Sequence, residues 1–260
     1  MSQIPALTGG RRLSHDAVSE KQFLSRSPQG YVDLFSDFLQ DAGDTAVLPW
    51  TLSEAGSTNA TIAFVDAADG VVRMAHTADN ETQAVAITCG GAGVISPTKG
   101  VIFEARVKIT LATDSVFEDG SVYEVIVGMA TAGSTVSVSA AAFDGFADNV
   151  GFRLGGGAQE TNSIFLESDD GTTDNDDKDS GIDFTSGTYH IYKIDMSDTS
   201  NVKFYVDGVS ANNGNTFDMS AIAATDYLEP FLMFARTNAG GTERAHLMDV
   251  DYVKCTWART

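Results

Sequence analysis

Residues 101–109 read Val-Ile-Phe-Glu-Ala-Arg-Val-Lys-Ile, an alternation that fixes what this chain can fold into. Val101, Phe103, Ala105, Val107 and Ile109 share one face, and Glu104, Arg106 and Lys108 share the other. Such a period of two is that of a half-buried antiparallel strand. Comparable runs occur at 60–65, 70–76, 82–88, 122–130, 135–142, 150–154, 163–167, 189–195, 202–206, 228–235 and 245–257. Asp69-Gly70, Asp119-Gly120, Asp170-Gly171 and Asp207-Gly208 punctuate them, as turns require. No long amphipathic helix and no repeat follows Gly30, which predicts an all-β, two-sheet antiparallel jelly-roll sandwich.

Composition narrows the class. With 43% hydrophobic residues the chain can bury a core, and its 36 acidic against 16 basic residues give a net charge of −20. That sign predicts no nucleic-acid partner and no anionic membrane surface. Residues 1–30 differ from the rest. They hold four basic residues (Arg11, Arg12, Lys21, Arg26) and two acids, which leaves 12 basic and 34 acidic residues for 31–260. The expected division is an N-terminal arm, 1–30, with a short helix from about Ser14 to Leu24, followed by a jelly roll, 31–260. The arm is either a frayed tail or a docking segment, with Arg11, Arg12, Phe23 and Leu24 as the docking residues. The start of the chain lacks a secretory apolar core, so export would need another route.

Thr188-Tyr189-His190-Ile191-Tyr192-Lys193-Ile194-Asp195 followed by Val202-Lys203-Phe204-Tyr205-Val206-Asp207-Gly208 resembles a hairpin of the concanavalin A-like, laminin G-like jelly rolls. The stretches Leu228–Ala235 and Met248–Val253 resemble that family's last core strands, and Asp33–Leu39, Trp50 and Asp69–Met74 its first. The resemblance implies the fold far more than a function. The enzyme it suggests is a laminarinase-type β-glucanase, which carries Glu-x-Asp-x-x-Glu on one strand face. That run is absent; Glu167-Ser168-Asp169-Asp170 and the pair Glu118 and Glu124 come nearest. No Gly-x-Ser-x-Gly elbow or phosphate loop occurs, and His15, His76, His190 and His246 are scattered, with His190 read as a sheet residue and His76 as exposed. The expectation is therefore a chain that is not an enzyme, with no catalytic residues.

From Glu167 to Asp179 seven acids face one lysine, which reads as an acidic loop that is either solvated or neutralised by a cation. Asp174, Asp176 and Asp179 are the candidate calcium ligands, and no other cofactor is expected. Cys89 and Cys255 are either buried thiols, the favoured reading, or a bridge between early and late strands. Small, Asp/Gly/Thr/Ala-rich sandwiches of this kind resemble capsid-decoration (cement) proteins of tailed bacteriophages. That resemblance implies a non-enzymatic virion protein on the particle exterior, made in the host cytoplasm, with the major capsid protein or another virion subunit as partner and with homo-oligomers. The alternative is a lectin-like carbohydrate-binding module, although Trp50 and Trp257 are assigned to the core and no exposed aromatic pair is evident.

Overall fold

The computed structural model describes residues 25–26, 31–36, 38, 50–56, 60–65, 70–78, 81–91, 95–112, 123–134, 143, 145–156, 159–237 and 244–258. Within them the chain is almost entirely strand. In order these are β1 (Ser25–Arg26), β2 (Tyr31–Ser36), β3 (Thr51–Gly56), β4 (Thr61–Val65), β5 (Val71–Ala75), β6 (Gln83–Thr88), β7 (Val101–Thr110) and β8 (Tyr123–Thr131). There follow β9 (Asn149–Gly156), β10 (Gln159–Asp169), β11 (Asp174–Asp183), β12 (Tyr189–Met196), β13 (Lys203–Val206), β14 (Val209–Ser210), β15 (Leu228–Arg236) and β16 (Leu247–Ala258). The only described helical turns are Pro97–Lys99 and Thr199–Asn201.

Two antiparallel sheets face each other. One runs β1-β2-β16-β7-β12-β13-β14, with β5 also pairing β16 and carrying β4; the other runs β11-β10-β9-β8-β15-β6-β3. The last strand sits centrally. One side of β16 pairs β7, while the other is shared, Leu247–Val250 with β5 and Val253–Ala258 with β2. Chain ends meeting in one sheet, with neighbours far apart in sequence, define the jelly-roll sandwich expected above. The alternation in β7 is realised, each odd residue buried and each even one half-buried.

The core between the sheets includes Phe103, Val107, Val127, Phe152, Ile194, Phe204, Leu232 and Phe234. Phe103, Phe152 and Phe204 are among the largest fully buried side chains, each worth about 3–5 kcal/mol against truncation to alanine. Strands β6 and β15 lack an alternating burial pattern because both their faces are covered. A second apolar cluster on the outer face of the seven-stranded sheet includes Ala84, Ala86, Ile126, Phe143, Phe231 and Met233. Cys89 and Cys255 are free thiols in the main core, and burial pushes the Cys89 thiol up to about 12. Trp50 is buried against Phe38 and Trp257 is half-buried on the core, as assigned from sequence.

Several expectations need correction or a boundary. The stretch 174–179 is not a loop: β10 turns at Asp170–Thr173 and Asp174–Asp183 returns as an edge strand. An edge tolerates this composition because charged side chains there stay in water and discourage pairing with other chains. His76 is not exposed but 2% accessible, its ring stacked 4.0 Å from that of Phe234. The proposed arm is not wholly separate, since Ser25 and Arg26 pair with Asp33 and Val32. Arg11, Arg12, Phe23 and Leu24, the helix at about 14–24 and the run 135–142 lie outside the described residues.

Candidate functional site

The outer face of the seven-stranded sheet divides into an apolar half and a charged half. In the apolar half Phe143 stacks on Phe231 at 6.5 Å, and Phe146 meets the same ring edge-on at 5.0 Å. Below them lie Gly128 on β8 and Gly151 on β9, directly paired. A Cβ on Gly151 would come within 2.8 Å of the Phe143 ring, and one on Gly128 within 2.4 Å of the Val150 carbonyl oxygen. Glycine at both positions lets the strands and the aromatic roof close. Phe146 is half-buried, so part of its ring stays open to solvent.

The charged half begins one strand further on. β9 turns Arg153 outward, and β10 turns Phe165 and Glu167 to the same side, with Arg153 opposite Phe165. Arg153 Nε lies 3.3 Å from Glu167 Oε1, and its Nη2 contacts Asp177 on β11. The guanidinium stands 5.9 Å from the centre of the Phe165 ring. Arg153 and Glu167 keep side-chain exposures of 7% and 2%, whereas Asp177 keeps 51%. Asp177 reaches this position through a bulge: between the pairs Leu166–Lys178 and Ser168–Asn175, two steps along β10 oppose three along β11. Asp177 itself has φ +50°, a left-handed conformation that few non-glycine residues adopt without a local reason. The bulge re-aims one acid of an otherwise solvated edge strand onto a buried arginine. Two carboxylates thus share one guanidinium as ion pairs, the Glu167 contact at 3.3 Å resting on charge rather than on an aligned hydrogen bond.

At one end of this face Glu229 is fully buried, accepting hydrogen bonds from Gly91 N–H at 3.0 Å and Gly133 N–H at 2.6 Å. It ties two turns together and is a structural staple. Nearby Asp148 titrates above the ordinary carboxylate range, because it is partly desolvated and faces Asp226, Asp169 and Asp170.

The candidate calcium ligands are arranged differently from the sequence expectation. Asp174 and Asp176 hydrogen-bond to each other, which raises the Asp174 pKa. Asp179, beyond the bulge, instead accepts from Gly181 N–H at 2.8 Å. Among the described residues no three His, Cys, Asp or Glu side chains form a cluster that could hold a metal ion.

The opposite outer face, on the nine-stranded sheet, is an ion-pair ladder. Arg73 Nε and Lys108 lie 2.7 and 2.9 Å from Asp249, Arg106 lies 2.5 Å from Asp251, and Tyr252 donates to Glu104 at 2.9 Å. Burial alone would raise the Asp249 pKa, but the Arg73 and Lys108 hydrogen bonds overcome it and hold the carboxyl low. His190, in β12 as read from sequence, bonds Asp207 through Nδ1 at 2.7 Å and accepts Thr185 N–H at Nε2. Both its nitrogens are engaged in holding a hairpin.

Glu167 was visible in the sequence as a candidate carboxylate; Arg153, Asp177, Phe146 and Phe165 were not. Glu118 lies outside the described residues, and the backbone of Glu124 falls on β8.

No family model matches the chain, and no curated protein sequence resembles it. Solved structures do match its shape. An endo-1,3-β-glucanase from Streptomyces sioyaensis aligns with a TM-score of 0.58 at 16% identity, over 90% of this chain and 99% of its own. The catalytic domain of an endo-1,3-β-glucanase (laminarinase) from Thermotoga petrophila aligns at 0.54 and 13%, over 94% and 100%. LamA from Zobellia galactanivorans, in complex with laminaritriose and laminaritetraose, aligns at 0.53 and 11%, over 85% and 97%. These neighbours correct the expectation that the chain is not an enzyme: glycoside hydrolases are built on this fold, so a missing Glu-x-Asp-x-x-Glu run does not exclude catalysis. At such identities the likeness concerns architecture, and it identifies the chain as a two-sheet antiparallel β-sandwich with the concanavalin A-like jelly-roll fold.

Proposed function

We propose that this chain recognises a polysaccharide on the outer face of its seven-stranded sheet. The observation that carries the reading is an exposed carboxylate, Asp177, held by Arg153 and Glu167 on the same sheet face as the half-open Phe146 ring. Sugars are held by two kinds of contact. Adjacent hydroxyls bond bidentately to carboxylates and guanidinium groups, and the C–H faces of the ring stack on aromatics. Both kinds of group are present here: the exposed Asp177 carboxylate on β11, held in place by the buried Arg153 and Glu167 behind it, and the half-open Phe146 ring. The shared architecture of β-1,3-glucanases makes laminarin the first ligand to try.

Affinity electrophoresis in laminarin-containing gels should retard the chain, and Phe146→Ala or Asp177→Asn should abolish most of the retardation. Unretarded migration in laminarin and in a panel of other β-glucans would overturn the reading. The same preparations assayed for reducing ends report on hydrolysis, and turnover lost in Glu167→Gln would place the chemistry at that carboxylate.

A role as a capsid-decoration protein on the phage exterior, docking through residues 1–30, is a separate proposal supported by the charge contrast between that segment and the rest. Its test is co-sedimentation with phage heads, which Arg11→Glu with Arg12→Glu should weaken.

A further inference from the structure

We propose that Asn213 is a site of spontaneous deamidation whose product loosens the acidic edge strand β11. Asn213-Gly214 is the single Asn-Gly step in the sequence. It forms the two central residues of a tight turn, both left-handed at φ +47° and +81°, closed by Asn215 N–H donating to the Asn212 carbonyl at 2.8 Å. Both residues are exposed, and a Cβ placed on Gly214 would meet nothing within 4 Å.

The neighbouring asparagine shows the contrast. Asn212 is 7% accessible, accepts Phe204 N–H at 2.8 Å and donates to the Val202 carbonyl at 3.0 Å. It is followed by a residue with a side chain, which obstructs ring closure. The base of the turn is therefore pinned to β13 while its tip is reachable by solvent.

The step needs only water and base. When the turn's closing hydrogen bond opens transiently, the Gly214 nitrogen gives up its proton to hydroxide and attacks Asn213 Cγ. A C–N bond forms, the Cγ–Nδ2 bond breaks, and ammonia leaves with a proton from water. One water then opens the five-membered imide at either carbonyl, giving aspartate or isoaspartate. Asparagine plus water becomes a carboxylate plus ammonium, and no oxidant or reductant takes part.

The consequence follows from what the amide holds. Asn213 Nδ2 donates to the Asp179 carbonyl at 3.2 Å, and a Cβ on Gly181 would come within 3.3 Å of the same nitrogen. This bond crosses from the turn after β14 to β11, the edge strand. A carboxylate there has no proton to donate, so it meets the Asp179 carbonyl oxygen as a second acceptor. It also adds a negative charge beside a strand that already carries Asp174, Asp176, Asp177, Asp179 and Asp183.

The test uses the full chain, held at mildly alkaline pH and 37 °C and sampled by peptide mapping that separates aspartate from isoaspartate. Asn213 should convert several-fold faster than every other asparagine, and Gly214→Ala should suppress that conversion. Hydrogen exchange across 174–183 should be several-fold faster in Asn213→Asp than in the parent, with β7 and β16 unchanged. If Asn213 persists in the folded chain while a urea-unfolded control converts, the site is wrong. Equal exchange of β11 in parent and Asn213→Asp would overturn the coupling.

Discussion

Lowering the pH from 7 to 5 should destabilise this protein through one buried side chain, His76. Its ring is stacked on Phe234, and Nε2 lies 3.2 Å from the Phe234 carbonyl. Burial first, and then the nearby Arg236 guanidinium, lower its pKa from 6.5 to about 3. The folded state thus refuses a proton that the unfolded chain accepts. Stability is full above the unfolded value of 6.5 and is lost as pH falls from there toward 3. With one proton's difference the slope approaches about 1.4 kcal/mol per pH unit. The loss is about 2 kcal/mol at pH 5 and about 3 kcal/mol at pH 4. Urea unfolding followed by tryptophan fluorescence at pH 7, 6 and 5 measures it in a window where carboxylates contribute little. The decisive comparison is His76→Gln, which keeps a donor for the carbonyl but cannot titrate. The variant should start less stable at pH 7 and lose about 2 kcal/mol less than the parent by pH 5. Parallel pH profiles for the two proteins would refute the argument, whatever their absolute stabilities.

Arg153→Met should cost about 3–5 kcal/mol in urea unfolding, because it leaves Glu167 charged and buried, and a second change, Glu167→Leu, should recover most of that loss. Glu229→Gln should cost about 1–3 kcal/mol, since one lone-pair partner of the Gly91 and Gly133 amides becomes a donor facing a donor. Chelator should move the melting temperature by a few degrees at most, since Asp174 and Asp176 hydrogen-bond to each other while Asp179 accepts from Gly181 N–H; global unfolding in chelator would contradict this.

What could be read from sequence follows from where burial is one-sided. β7 declares itself because one face is core and the other water, so Val101 to Ile109 alternate without exception. β15 reads as an apolar run because Phe231 and Met233 meet the aromatic roof while Leu232 and Phe234 meet the main core. β11 was illegible. Asp and Asn are poor strand formers, and only its position at an edge, set by pairing with β10, makes a strand of Asp174–Asp183. His76 was misread because Thr77 to Asn80 look like a turn, whereas the ring's partner, Phe234, is 158 residues away. The same distance problem hid the site. Alternation says that Arg153 points outward, but nothing local to it reveals that Glu167 and a bulged Asp177 converge on its guanidinium.

The facing glycines of β8 and β9 carry an implication for how this surface can change over generations. Phe143 occupies the space that a side chain at position 151 would need, and Gly128 is barred by backbone alone. The floor of the sheet and the turn above it are therefore not free to drift independently. A descendant that fills position 151 must first lose or reshape the aromatic at 143, and one that keeps the aromatic inherits a bare floor. Among diverged sequences the two positions should vary as a pair, while glycine at 128 persists in both lineages. The groups that could give the face new chemistry are then confined to its open margin, on β11, where Asp174, Asp176 and Asp177 meet water.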